Sequence, residues 1–308
     1  MEGRKILITG ATGQVAWPIL ESLAGRNEVF ALARFTDESN RQAVESLGAH
    51  PIVADLGSDE PLDLPQDLDY VLHFANSKDP AGNFDRDLRS NVEGVGRLMA
   101  ACAGVRGFFF CSSAGVYAGG TQEPLKEDAP LGDSHRPLFP TYSICKIAAE
   151  AMVRFACRHW SIPSVIARLS VPYGERGGWP AYHLEMILSG TPIPIPPGGR
   201  ALYNPLHERD YVAQVPALLA AASVPALVVN WGGSQVVALE DWCAYLAELA
   251  GKPVEFVETE TAIASIPLDT SRLESIAGPS RTDWREGMRA MVRARHPELE
   301  VGGPITES

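Results

Sequence analysis

The stretch KILITGATGQVAWPIL, Lys5 to Leu20, decides the fold. An apolar run ends at Gly10, a short turn carries Gly13, and a helical pattern follows. In that order, Gly10 permits a tight turn off a strand. Gly13 lets backbone N–H groups approach a pyrophosphate at the positive end of the helix. Where a third glycine is usual this chain has Ala16, and one methyl group still allows close helix–strand packing. The spacing therefore predicts a working phosphate cradle.

Outward from that turn the chain alternates short apolar runs with amphipathic ones. EVFALA, PIVADL, DYVLHFA, GFFFCSS, PSVIARLS and ALVVNWGG have the continuous apolar character of strands buried on both faces of a parallel sheet. Asp85–Ala103 and Thr141–Trp160 are the clearest helical stretches between them. The order implies an α/β fold, a doubly wound parallel sheet of Rossmann type with a smaller mixed α/β substrate-binding region. Residues 1–169 read as the nucleotide-binding part. Residues 170–297, rich in proline and glycine around 189–205, read as the substrate-binding part, with one strand near 226–230 returning to the sheet. Residues 298–308 read as a loosely ordered tail.

The chain has 308 residues, with 26 Lys and Arg against 38 Asp and Glu, a formal charge of −12. So acidic a chain lacks the basic footprint that nucleic acid demands. It has no apolar run of membrane-spanning length, and no basic-then-apolar leader at its start. Five cysteines without C-x-x-C or metal-ligand spacing point to free thiols in a reducing compartment, hence a cytoplasmic protein with no metal.

Two further features bear on the cradle. Strand 2 ends at Ala33 and Arg34, where an acidic residue would take the ribose hydroxyls of NAD(H). A guanidinium in place of a carboxylate favours the 2′-phosphate of NADP(H), with NAD(H) as the alternative. Asp55, after strand 3, can accept from an adenine amino group or cap the next turn.

The chemistry is expected at PTYSICK. Tyr142 and Lys146 stand at i and i+4, on one helix face, so that an ammonium can sit beside a phenol and lower its pKa. Ser112 and Ser113 end an apolar strand, where side chains point into the ligand crevice of such sheets.

With TGATGQVA, VADL, VLHFAN, NVEGVGRLMAAC, CSSAGVYAGG, YSICK, ARLSVPYG and NPLHERDYVA, the chain resembles an extended short-chain dehydrogenase/reductase of the NAD-dependent epimerase/dehydratase family, from residue 5 to about 250. The resemblance implies Tyr142 as general acid/base, Lys146 as its partner on the nicotinamide ribose, and Ser113 on the reacting oxygen. It places Gly10, Thr12, Gly13, Gln14 and Val15 around the pyrophosphate and Asp55 and Leu56 at the adenine. Phe74, Ala75 and Asn91 would lie along the cofactor. It also implies a homodimer through the two long helices.

Relatives that dehydrate sugars often carry acidic residues where this chain has Ala114 and Gly115, which disfavours elimination. The leading expectation is an NADP(H)-preferring oxidoreductase for a secondary alcohol or ketone. The alternative is a nucleotide-sugar 4-epimerase with tightly held NAD, and a third is a non-catalytic NADP(H) sensor. Candidate substrate residues are Ser112, Ser170, Trp179 and His183, with Arg168, Arg176, Arg200, His207 and Arg272 as grips for an anionic group.

Overall fold

A computed structural model describes residues 1–78 and 82–299. The tail expected from 298 therefore lies, beyond Leu299, outside the described residues. Seven strands form one parallel sheet: β1 Lys5–Thr9, β2 Glu28–Ala33, β3 His50–Val53, β4 Tyr70–His73, β5 Gly107–Ser113, β6 Ser164–Leu169 and β7 Leu227–Trp231. Their order is β7-β6-β5-β4-β1-β2-β3. The order reverses between β1 and β4, so a crevice opens at the carboxyl ends of the strands, the place where such sheets bind ligands. The strand expected near 226–230 is β7, one residue later, paired to β6.

Helices cover both faces. On one side α1 (Ala16–Ala24) and α7 (Glu208–Ala220) bury Ile6, Ile8, Phe109 and Trp231. On the other, α4 (Gly94–Ala101) and α5 (Tyr142–His159) bury Leu7, Val71, Phe108 and Ile166. Alternate residues of β1 thus feed opposite cores, which is why its sequence is apolar throughout. A separate core joins α6 (Trp179–Ser189), α8 (Leu239–Ala250) and α10 (Trp284–Arg295) around Trp242, Leu184 and Met288. The remaining helices are α2 (Glu38–Ser46), α3 (Phe84–Leu88) and α9 (Ser271–Ala277).

The helix expected over Asp85–Ala103 is not continuous. α3 leads into a π-helical turn, Arg89–Glu93, before α4. The widened turn carries Asn91, whose amide accepts from Ser77 N at 2.7 Å and donates to Ser77 O at 2.8 Å. That pair clamps the loop after β4, an arrangement in keeping with π-turns at functional sites.

All five cysteines are buried with free thiols. Among the described residues no helix is long and apolar enough to cross a membrane, and no cluster of side chains could hold a metal.

Three histidines are buried as neutral groups. Burial pulls His73 and His183 down to about 3 and His207 to about 4. The unfolded chain binds these protons near pH 6.5 and the folded chain does not, so stability falls as pH drops from there toward 4. Each can contribute up to about 1.4 kcal/mol per pH unit in that window. Urea unfolding at pH 7 and pH 5 is expected to show a loss of several kcal/mol; equal stabilities would contradict the neutral burial.

Candidate active site

The crevice is a cleft of 530 Å³ lined from the ends of six strands. Gly10 follows β1, Arg34 follows β2, Asp55 follows β3 and Phe74 follows β4; Ser113 ends β5 and Ser170 follows β6.

At the first turn Gly10 has φ +66°, and a Cβ there would meet the Ala75 backbone at 2.7 Å. Only glycine allows the loops after β1 and β4 to approach so closely. Gly13 N donates to Gly10 O at 2.9 Å, and Trp17 N to Gly13 O at 3.0 Å. No side chain caps the start of α1, and its first turn holds no acid. The cradle therefore presents free N–H groups and a positive helix end to an anion. Ala16 is fully packed beneath it. Thr12, Gly13, Gln14 and Val15 line the cleft, and the Gln14 amide is tied to Pro172 O at 3.3 Å.

Arg34 is exposed on the cleft wall with Thr36 and Asn40, and makes no ion pair among the described residues. The nearby Asp37 carboxylate is spent on capping α2, accepting from Ser39 N at 2.9 Å. Asp55 caps its own turn through Gly57 N at 2.8 Å while still lining the cleft with Leu56. Phe74, Ala75 and Asn91 line it too. These residues fit a dinucleotide: a cradle for the pyrophosphate, one carboxylate and one guanidinium at the far end, and the phenol at the other.

That other end holds Ser112, Ser113, Tyr142 and Lys146. Tyr142 opens α5 and is half-buried, while Lys146, one turn on, is buried. The expected phenol–ammonium contact differs from the observed one. Lys146 Nζ donates to Cys111 O at 2.8 Å and stands 6.0 Å from the Tyr142 ring centre. Burial pushes Tyr142 up to about 12, with a hydrogen bond from Ser113 pulling the other way. Burial also lowers the Lys146 pKa. Anchored on a β5 carbonyl, the ammonium is aimed along the strand end rather than at the phenol oxygen. At neutral pH the phenol thus keeps its proton and is set to act as an acid.

Most residues nominated for substrate lie elsewhere. Ser170 lines the cleft and accepts from Asn204 N at 3.3 Å. Ser112 also lines it, but its hydroxyl donates to Glu150 at 2.7 Å. Arg168 is buried, clasping Glu150 through Nε at 2.9 Å and Nη2 at 2.8 Å. Trp179 and His183 pack with Trp242 in the core of the second lobe, where Trp242 Nε1 donates to His183 Nδ1 at 3.0 Å. Arg200 pairs with Asp241 at the surface. His207 caps α7 and packs edge-on against Tyr173. Arg176 lies over Trp17, and Arg272 donates to Val228 O at 2.8 Å. None of these five cationic candidates faces the cleft, whose lining cations are Arg34, Lys78 and Lys146.

Two residues near the reacting end were missed in the sequence. Lys78 Nζ sits 5.1 Å from the Tyr142 ring centre and 4.5 Å from that of Phe139. The His135 ring centre lies 5.6 Å from that of Tyr142. Both belong to irregular loops, where no periodicity marks a side chain as inward. The one available signal was Gly115, a residue without a side chain two places beyond Ser113, which leaves room for another group.

A sheet of this order, a glycine cradle and a Tyr/Lys pair at the strand ends are the features of the extended short-chain dehydrogenase/reductase type. The chain belongs to the NAD dependent epimerase/dehydratase family, which matches residues 6–232. It is 29% identical over 280 residues to the UDP-glucose 4-epimerase of Azospirillum brasilense, covering 81% of this chain and 78% of that one. It is 26% identical over 315 residues to a trifunctional UDP-glucose 4,6-dehydratase/UDP-4-keto-6-deoxy-D-glucose 3,5-epimerase/UDP-4-keto-L-rhamnose-reductase of Arabidopsis thaliana. There it covers 93% of this chain but 46% of the other, so the chain spans about half the length of that relative. Among solved structures, MoeE5 in complex with UDP-glucose and NAD superposes with a TM-score of 0.79 at 26% identity, over 96% of this chain and 100% of that one. The fold is shared with UDP-glucuronic acid 4-epimerase from Bacillus cereus, at a TM-score of 0.79 and 22% identity over 94% and 98% of the two chains.

Proposed function

We propose that this chain is an NAD(P)-dependent oxidoreductase that interconverts a secondary alcohol and its ketone on a sugar carried by a nucleotide. The observation that carries the reading is the convergence of Ser113, Tyr142 and Lys146 on the cleft that also holds the glycine cradle. When bound, the nicotinamide supplies or accepts the hydride. The chain's own residues do the rest. The phenol of Tyr142 gives its proton to the carbonyl oxygen on reduction and takes it back on oxidation. Ser113 holds the same oxygen, and Lys146 adds a fixed positive charge beside developing negative charge. The sugar-nucleotide class rests on the relatives, whose names specify UDP- and dTDP-sugars.

A 4-epimerase is the second reading, favoured by the match to the Azospirillum enzyme. Incubation with cofactor and a panel of UDP-sugars, dTDP-sugars and simple ketones separates the two. A net reductase changes the cofactor absorbance in step with product. An epimerase forms product with no net change. No turnover of any member, with cofactor bound, overturns both.

For the cofactor we infer a preference for NADP(H), although the solved relatives named here hold NAD. Arg34 supports it: a guanidinium that makes no ion pair among the described residues suits a 2′-phosphate. Arg34→Ala is expected to weaken NADP⁺ binding about 10- to 100-fold, the loss of a charge-assisted hydrogen bond, and to leave NAD⁺ binding nearly unchanged. Calorimetric titration of both cofactors checks this; equal losses would assign Arg34 no part in selectivity.

A homodimer through α4 and α5 is also proposed. Ile144 and Phe155, 38% and 58% exposed on α5, are apolar residues that such a contact would cover.

A further inference from the structure

Gly115 stands two residues beyond Ser113 and is buried. A Cβ built on it would lie 2.7 Å from His135 Nδ1 and 2.8 Å from Cε1. The imidazole, reaching in from a different loop, occupies the space that a residue-115 side chain would fill. The same ring stacks at a tilt on Tyr142, centre to centre 5.6 Å.

The hydrogen bonds around it favour one tautomer. Ser134 Oγ donates to the Gly115 carbonyl at 3.1 Å, and lies 3.1 Å from His135 Nδ1. A hydroxyl has one proton; given to the buried carbonyl, it makes Nδ1 the donor to Ser134 and leaves Nε2 with a bare lone pair. Nε2 has no partner among the described residues and is not sealed from solvent. Burial, with the Lys78 ammonium close by, pulls His135 down to about 4, so the ring is neutral at pH 7. The ring is held by Ser134 and packed against Tyr142, while its second nitrogen is left as a neutral acceptor beside the phenol.

We propose that His135 is a substrate-contacting residue whose Nε2 accepts a hydrogen bond from the sugar hydroxyl next to the oxygen held by Tyr142. Tyr142 donates to one oxygen, and His135 accepts from its neighbour. The pair thereby selects a carbinol flanked by a second hydroxyl over a simple secondary alcohol. A site that hydrogen-bonds a hydroxyl discriminates strongly against analogues lacking it, because the acceptor is left unpaired. The inference rests on the proposed function, since it takes Tyr142 as the group holding the reacting oxygen.

The test is nitrogen-15 NMR of histidine-labelled protein, saturated with cofactor and titrated with UDP-glucose. The His135 signals are assigned by their loss in His135→Gln. The expected spectrum has a protonated Nδ1 and a bare Nε2, and Nε2 shifts upfield as UDP-glucose binds. In parallel, His135→Phe and Gly115→Ala, the latter displacing the ring, should each weaken UDP-glucose binding about 10-fold with cofactor affinity kept. His135→Gln, which retains an acceptor, should recover most of the loss. An Nε2–H tautomer overturns the proposal. So does an Nε2 signal that stays put while UDP-glucose binds, an undiminished affinity in both variants, or no UDP-glucose binding at all. Failure of the wild-type protein to bind either cofactor would instead overturn the proposed function, a result the first titration registers on its own.

Discussion

Replacing Tyr142 by Phe is expected to lower kcat by about 10²- to 10⁴-fold, the range for loss of a positioned acid–base group. The substitution removes one oxygen and leaves the ring. Contacts with His135 and Phe139 therefore persist, and neither the α5 backbone nor the cradle is disturbed. Cofactor affinity, measured by titration, should change little. The pH profile carries the sign. Burial pushes the phenol up to about 12, and its proposed role is that of an acid in the reducing direction, so wild-type reduction should be level through neutrality and fall only on the alkaline side. The phenylalanine variant should lose that alkaline limb. Undiminished turnover would assign the proton to another group. An unchanged biological effect with no turnover in either protein would favour the sensor reading.

Arg168→Met is expected to cost about 3–5 kcal/mol of stability, since it leaves a buried carboxylate without its partner. Glu150 is enclosed by Arg168, by the Ser112 hydroxyl, and by Arg154 at 3.7 Å. Arg168 also reaches Glu127 O at 2.9 Å and lies 4.9 Å over the Tyr117 ring. Glu150 sits one turn beyond Lys146 on α5, while Ser112 precedes Ser113 on β5. The ion pair thus pins α5, which carries Tyr142 and Lys146, to the sheet beside Ser113 at the end of β5. Converting both partners to apolar residues, Arg168→Met with Glu150→Leu, should restore much of the lost stability, because neither charge is then stranded. Urea unfolding of the two variants checks the sequence of losses; a single variant as stable as the double one would show that the pair is not desolvated.

Much of this architecture was legible in the residues, for a physical reason. Strands buried on both faces must be apolar throughout, so GFFFCSS and SVIARL announce β5 and β6 without outside help. The cradle was legible because Gly10 and Gly13 do their work within one turn. Polar residues were harder. Arg168 and His207 looked like hands for an anion and His183 like a pocket wall, but their partners, Glu150, Tyr173 and Trp242, stand on other elements of the chain. Whether a cation faces solvent or a buried carboxylate is decided by packing, which periodicity does not record. The broken helix at Arg89–Glu93 escaped for a related reason: its widened turn is fixed by the bond between Asn91 and Ser77, a tertiary contact. His135 was invisible because it works through the absence of a side chain at Gly115.

The central claim is that the cradle and the phenol serve the two ends of one bound dinucleotide. A crystal structure of the complex with oxidised NADP, or with NAD if that binds more tightly, tests it most directly. The pyrophosphate is expected on the N–H groups around Gly13, the adenine ribose beside Arg34, and the nicotinamide within contact of Tyr142 and Lys146. A nicotinamide bound away from Tyr142, or a cofactor seated outside this cleft, would contradict it.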